Sequence, residues 1–266
     1  MLVTGASSGI GAAVAREFAH QGADLVLAAR RLPRLLALQE ELRTSGRRSL
    51  VVPCDVTEDG AVEHAVTRGL DAFGRLDVVV ANAGFGVVGP LERLTLTDYR
   101  RQFETNVFGV LRTAFAALPA LRVSRGVLAI VGSVSAHLPT PGVSAYAMSK
   151  ASVHALAAAL RGEVLADGVA VVLVTPGFVE SEIRQVDNQG VRQPDVRDGV
   201  PRWLVMPADR AARAIVRAVA CRRREAVVTG HGKLLVWLAR HFPSTLAFAA
   251  ERLAVRSRRG PPSGSP

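Results

Sequence analysis

The chain has 266 residues, 49% of them hydrophobic, which is enough to bury one substantial core and too apolar for a disordered or fibrous protein. Its two cysteines, Cys54 and Cys221, form no metal-type cluster, and Thr4-Gly5 breaks the first apolar run too early for a leader, so a cytoplasmic protein without a metal site is expected. The formal charge of +10 is uneven: residues 1–201 hold 20 basic and 20 acidic side chains and residues 202–266 hold 13 and 3, which points to an appended basic segment with its own partner.

Short Val/Leu/Ile runs alternate with longer Ala/Leu/Arg segments, as in repeated strand–helix units. Met1-Leu2-Val3 predicts a strand, followed by T-G-A-S-S-G-I-G over 4–11 and a helix to about Gln21. In that turn Gly5 allows the tight bend, Gly9 lets backbone approach a phosphate and Gly11 lets helix pack closely on strand. The helix N-terminus adds unpaired N–H groups and a partial positive charge for a pyrophosphate. Three residues are few for a central strand, and the native chain is expected to carry a few more at its start.

Leu25 to Ala28 predict a second strand that runs into Ala29-Arg30-Arg31. Where an acid would hold a ribose 2′-hydroxyl there is a small Ala29 and then two guanidiniums, which suit a 2′-phosphate. NADP(H) is therefore expected over NAD(H), with Arg30 as the leading residue; a solvated helix start at Arg30, Arg31 and Arg34 is the plainer alternative. Ser49 to Pro53 predict a third strand, with Asp55-Val56 at its end to meet an adenine edge, or with Asp55 or Thr57 as a helix cap. Leu76 to Ala81 predict a fourth strand closing in Asn82-Ala83-Gly84, a small-residue turn against which a cofactor can lie. A helix from about Thr97 to Leu118 carries Asn106 in its middle, a poor helix former that wants a reason such as backbone bonding or a bound water. Val127 to Val131 predict a fifth strand that delivers Ser133 at its C-terminal end, where open α/β sheets bind ligands. The longest uncharged stretch, 126–149, is broken by Gly, Pro and Ser and does not read as a membrane span.

A helix over 144–166 carries Tyr146 and Lys150, four apart and so on one face. An ammonium beside a phenol favours the phenolate and should lower the phenol pKa toward the working range that acid–base chemistry needs. Taken alone the pair also fits a chance spacing on an amphipathic helix. Only Lys150 and Lys233 are lysines among 33 basic residues, which makes the placement of Lys150 more telling. Val169 to Thr175 predict a sixth strand running into Pro176-Gly177-Phe178-Val179-Glu180-Ser181. The polar stretch 182–206, with Gly190, Pro194, Gly199 and Pro201, reads as a functional lid. Pro207 to Cys221 then predict a helix and Ala226 to Thr229 a last strand.

T-G-A-S-S-G-I-G at 4–11, N-A-G at 82–84, Asn106, Ser133, Y-x-x-x-K at 146–150 and P-G at 176–177 stand in one order and spacing. Together they resemble the short, single-domain branch of the short-chain dehydrogenase/reductase family, over roughly residues 1–230. The resemblance implies a Rossmann-like, doubly wound α/β sheet of about seven parallel strands flanked by helices. It implies that Tyr146 is the general acid in carbonyl reduction and the base in alcohol oxidation, that Lys150 lowers its pKa and binds the nicotinamide ribose, and that Ser133 holds the substrate oxygen. Asn106 would position a water for proton relay. Cofactor contacts would come from Gly5, Ser7, Ser8, Gly9, Ile10 and Gly11, from Arg30, Arg31, Asp55 and Val56, and from Asn82, Ala83 and Gly84. Pro176, Gly177, Val179 and Ser181 would complete them; Ser181 stands where the family often has Thr, and Gly132 precedes the serine as a further small departure. Pairing through the long helices after the fourth and fifth strands would give a homodimer or homotetramer. The substrate would be a small carbonyl or alcohol, and Phe85, Leu138, Val143 and Phe178 favour an apolar one.

Residues 1–230 are thus expected to be the NADP-binding oxidoreductase domain, 231–259 a basic amphipathic helical extension and 260–266 a disordered tail. In the extension Leu234, Leu235, Leu238 and Phe242 share one helical side with Lys233 and Arg240 on another. Leu246, Ala249, Ala250 and Leu253 repeat the pattern beside a basic edge of Arg252, Arg256 and Arg259. With Trp237 this suits weak peripheral contact with an anionic membrane, or packing on the body or a dimer mate. Nucleic acid is not expected, for want of interleaved stacking aromatics. The competing function is a non-catalytic NADP-binding regulator or scaffold, against which the full set Asn106, Ser133, Tyr146 and Lys150 argues.

Overall fold

Parallel strands covered on both faces need continuous apolar runs, and the chain supplies seven segments that pair as such a sheet. A computed structural model describes residues 1–44, 46–193, 199–246, 248 and 252. The strands are β1 (Leu2–Thr4), β2 (Leu25–Ala29), β3 (Ser49–Pro53), β4 (Val78–Ala81), β5 (Val127–Val131), β6 (Ala170–Thr175) and β7 (Glu225–Val227). They form one sheet in the order β3-β2-β1-β4-β5-β6-β7, with every neighbouring pair parallel. The predicted seven-stranded, doubly wound architecture is the one observed. The order reverses between β1 and β4, where Leu2 pairs with Val79 and Val3 with Val80. A crevice opens at such a point, above the C-terminal strand ends.

Alternation along each strand sends its apolar side chains to two cores. On one face Val3, Leu25 and Leu27 meet α1 (Gly9–His20), α2 (Leu32–Arg43) and α7 (Ala208–Ala220) through Phe18, Leu38 and Ile215. On the other, Leu2, Val26 and Leu128 meet α3 (Ala61–Phe73), α5 (Gly109–Ser124) and α6 (Ser144–Glu163) through Val66, Leu121 and Val153.

The helix predicted over Thr97–Leu118 is three pieces: α4 (Leu96–Phe103), a π-helical turn (Glu104–Phe108) and α5. Its start is fixed by a capping box, in which Thr95 Oγ1 accepts from the Asp98 amide and the Asp98 carboxylate accepts from the Thr95 amide. By length and composition the whole run Leu96–Ser124 could cross a membrane. In this fold its α5 part lies on the sheet, burying Val110, Ala114, Ala117, Leu118 and Leu121.

The described parts of the predicted lid are short helical turns at Glu182–Gln185 and Arg202–Leu204. A bridge between Val179 and Met206 ties its two ends, and another joins Val186 to Arg192. Asn188 fastens it to the segment after β4, since its side chain both accepts from the Val88 amide and donates to the Val88 carbonyl at 2.9 Å. After β7, α8 (Gly230–His241) packs against β7 and the turn Val134–Ala136. It buries Gly232 and Val236, so of the expected apolar side Leu234 and Phe242 stay exposed and Leu235 and Leu238 are half-buried, with Trp237 exposed beside them. Pro194, Ala249, Ala250, Leu253, Arg256, Arg259 and the stretch 260–266 lie outside the described residues.

Candidate active site

The crevice is built first by the glycine turn. Gly5 sits at φ +66°, where a Cβ would lie 2.8 Å from Ala83 Cα, and a Cβ on Gly11 would lie 2.3 Å from the Gly5 carbonyl oxygen. These contacts hold the turn of 4–11 against Asn82 and Ala83, in keeping with the roles expected of the two glycines. Thr4 Oγ1 accepts from the Asn82 and Ala83 amides, and Asn82 Nδ2 donates to the Thr4 and Gly5 carbonyls. Asn82 is thus a clamp between β1 and β4 as well as part of a small-residue turn. Ile10 packs against the α1 core, and a Cβ on Gly9 would lie 2.9 Å from Ser181 Cβ, which brings the P-G segment over the turn.

At the end of β2 the two arginines diverge. Arg30 is exposed and lies 3.7 Å from Asp55. Arg31 donates to Ser7 Oγ at 3.2 Å, to Ser8 Oγ at 2.6 Å and to Glu182 at 2.8 Å. The guanidinium that faces the glycine turn is therefore Arg31, not the favoured Arg30, because the chain leaves extended geometry at Arg31 to start α2. Asp55 caps no helix: its carboxylate accepts from the Thr57 amide and hydroxyl, and α3 begins later behind Gly60. Val56 is buried against Gly109, so its side chain belongs to the core.

Ser133, Tyr146 and Lys150 converge at the C-terminal end of β5. The Ser133 hydroxyl accepts from the Ser135 amide at 3.1 Å and lies close enough to the Tyr146 phenol to favour its ionisation. Buried Lys150 donates to the Val131 carbonyl at 2.9 Å, with its ammonium 5.8 Å from the Tyr146 ring centroid. Burial pushes the Tyr146 phenol up, against the opposing effects of the Ser133 hydroxyl and the Arg184 charge, and it pushes Lys150 down to about 8. The expected lowering of the phenol is reversed in the protein alone. The Lys150 ammonium is bonded to the Val131 carbonyl and stands over the ring face, and removal from water opposes ionisation of the phenol.

Asn106 finds the reason its position asked for. It is fully buried in the π turn, where its Oδ1 accepts from the Phe85 amide and its Nδ2 donates to the Phe85 carbonyl and to Ser149 Oγ. Gln102, one turn earlier, accepts from the Val87 amide and also donates to the Phe85 carbonyl. Both side chains hold the strand-like segment after Gly84 in place, and Phe85 itself is buried beside Val87 and Ala145 and not open to a substrate. Leu138 and Val143 are half-buried and Phe178 is exposed, stacked on His231.

Sequence reasoning missed a second layer behind Ser133. The Ser133 amide donates to His154 Nε2 at 3.4 Å, and His154 meets His137 edge-on at 4.9 Å between centroids. His137 Nε2 lies 3.3 Å from Glu225, which pairs with Arg240 on α8. Burial, with the nearby His137, drops His154 to about 4, while close contact with His137 and the bond from Arg240 hold Glu225 down at about 2. A Cβ at Gly132 would lie 2.3 Å from His154 Nε2, so the glycine before the serine makes room for this imidazole. The available signal was spacing, since Tyr146, Lys150 and His154 recur every four residues on one helical stripe. On the far side, the Pro176 carbonyl accepts from the Val134 amide, and the Phe178 amide donates to His231.

The donor set fits a nicotinamide dinucleotide: a glycine turn at a helix N-terminus for pyrophosphate, a buried lysine beside Gly84, and guanidiniums at the end of β2. The model of the short chain dehydrogenase family matches residues 1–192. Among curated relatives, the chain is 42% identical to an 11-beta-hydroxysteroid dehydrogenase A of Sesamum indicum over 226 residues, 82% of this chain and 64% of that one. It is 34% identical to a serine 3-dehydrogenase of Agrobacterium fabrum, over 71% of this chain and 76% of that one. Similar solved structures include an alcohol dehydrogenase of Thermococcus sibiricus complexed with 5-hydroxy-NADP, at TM-score 0.74 and 30% identity, covering 85% of this chain and 94% of that one. A short chain dehydrogenase/reductase of Burkholderia phymatum in complex with NAD superposes at TM-score 0.80 and 25% identity, covering 100% and 97%. The chain belongs to the short-chain dehydrogenase/reductase family, whose members are oxidoreductases acting on CH–OH groups.

Proposed function

We propose that the chain is an NADP-dependent oxidoreductase that interconverts a ketone or aldehyde with the matching alcohol, Tyr146 carrying the proton. The observation that carries the reading is the placing of Ser133 beside the Tyr146 phenol at the end of β5, with Lys150 buried against the Val131 carbonyl. A bound nicotinamide nucleotide supplies the hydride, held by the glycine turn with Ser7 and Ser8, by Asn82, Ala83 and Gly84, by Lys150, and by the 176–181 segment. A phenol kept neutral by burial is the form that gives its proton to a developing alkoxide. In the oxidative direction the same oxygen must ionise first, and the Lys150 ammonium nearby stabilises the anion. The Ser133 oxygen accepts from the Ser135 amide, and its hydroxyl proton is the group that would hold the substrate oxygen alongside Tyr146. The Asn106 side chain is committed to Phe85 and Ser149, so its role is to hold the wall of the crevice after Gly84 in place.

The NADP preference rests on Ala29 and the arginines after it, with Arg31 now ahead of Arg30. An apolar substrate is supported by Leu138, Val143 and Phe178 and by the likeness to the plant hydroxysteroid dehydrogenase. The reading includes a cytoplasmic homodimer or homotetramer. It also includes weak contact of α8 with an anionic membrane through exposed Leu234, Trp237 and Phe242 beside Lys233. Tyr146→Phe should lower kcat by about 10²-fold or more while NADPH still binds in a fluorescence titration. A variant retaining most of its turnover would remove Tyr146 from the mechanism.

A further inference from the structure

Glu182, just past the P-G segment, is the meeting point of three guanidiniums. Its Oε2 accepts from Arg31 Nη1 at 2.8 Å, and its Oε1 lies 3.2 Å from both Arg34 Nη2 and Arg192 Nε. Arg31 reaches on to the hydroxyls of Ser7 and Ser8, so the carboxylate sits one guanidinium away from the glycine turn. A cleft of about 600 Å3 opens here between α1, α2 and the lid, with Ser7, Ser8, Arg34 and Glu182 among its walls. Burial pushes the Glu182 carboxyl up, but the Arg31 bond and the charges of Arg31, Arg34 and Arg192 outweigh it and hold the group below its ordinary value. It is an anion throughout the working range.

We propose that Glu182 is a specificity-determining residue, an anion built into the chain that occupies the arginine cluster a cofactor 2′-phosphate needs. This rests on the NADP reading above. Arg31 and Arg34 belong to the segment after β2, whereas Glu182 and Arg192 belong to the lid. Their bonds therefore latch the first turn of the lid onto the phosphate region. A 2′-phosphate carries more charge and more acceptor oxygens than one carboxylate and can take the same guanidiniums. While it does so, Glu182 faces a like charge and must swing out. A cofactor that lacks the 2′-phosphate leaves the latch closed. Glu182 thus weakens NADPH binding and leaves NADH binding alone, which narrows the preference that the arginines set.

The test is calorimetric and uses probes of the subsite alone. Adenosine 2′,5′-bisphosphate and adenosine 5′-diphosphate are titrated into the full chain, as wild type, Glu182→Gln and Glu182→Asp. Glu182→Gln is expected to bind the bisphosphate at least 5-fold tighter and the diphosphate within 2-fold of wild type, with Glu182→Asp nearer to wild type. In wild type, the bisphosphate but not the diphosphate should speed amide hydrogen exchange at 182–185, a measurement that needs no variant. A wild type that prefers the bisphosphate, with no gain in Glu182→Gln and no faster exchange, sinks the Glu182 proposal and leaves the NADP reading standing. No preference in wild type but a gain in Glu182→Gln sinks that reading and supports the role of Glu182. No preference in either protein, or weaker bisphosphate binding by Glu182→Gln, overturns the proposal.

Discussion

His154 accepts the Ser133 amide only while its ring is neutral, and burial beside His137 keeps it neutral down to about pH 4. The unfolded ring takes a proton near its ordinary 6.5, so between these values the unfolded state binds more protons than the folded one. The stabilisation is complete above pH 6.5 and is lost as pH falls through 4, amounting to up to about 3 kcal/mol. Urea unfolding of wild type at pH 7 and 4.5 should show this loss, and His154→Gln should flatten it. An unchanged slope in the variant would assign the acid sensitivity elsewhere. A neighbouring lesson comes from Arg30 and Arg31. Their type and place were legible, but their directions were not, because side-chain alternation stops where the strand ends and Arg31 adopts φ −86° and ψ 81° ahead of α2. Arg31→Ala should therefore reduce the NADPH-over-NADH ratio in kcat/KM more than Arg30→Ala does, and equal effects would contradict the assignment.

The π turn between α4 and α5 is the element whose geometry the site depends on most. One extra residue per turn rotates Asn106 under Phe85 while α5 keeps its apolar stripe on the sheet. Asn106→Ala would leave the Phe85 amide unpaired in a buried place, a loss of about 3 kcal/mol in urea unfolding. A loss under half that size would mean that water replaces the side chain. Strands and helices were readable because apolar runs and period-3.6 stripes are local properties of the chain. The π turn was not, since helical patterning runs from Thr97 to Leu118 across it and only the misplaced Asn106 marked it. The same holds for Glu182 and His154, whose partners lie far away in sequence and meet them only through the fold.

Across the whole molecule, α5 and α6 present an outer face that none of the described residues covers. Phe115 is 70% exposed and Val123 90%, with Phe108, Met148 and Leu165 also exposed. Exposed Ala151, Ala155, Ala158, Ala159 and Gly162 make a small-residue strip on α6 that permits close helix approach. An apolar face of this kind suits a second copy related by a two-fold axis. Ala158→Arg and Phe115→Asp are each expected to turn the oligomer into monomer in light scattering after size exclusion. A dimer that survives both would place the interface elsewhere. The parallel, doubly wound sheet was legible from the alternation of strands and helices, whereas the order β3-β2-β1-β4-β5-β6-β7 came from the structure.

Lys150 has a chemical consequence. A chain with only two lysines offers two side-chain amines to an acylating reagent, and the two differ sharply. Lys233 is exposed on α8, whereas Lys150 is 4% exposed and burial pushes its ammonium down to about 8. Lys150 can be reached only when the crevice opens locally. Its acetylation rate, measured against Lys233 as an internal clock by peptide mass, becomes a stopwatch for breathing of the active site.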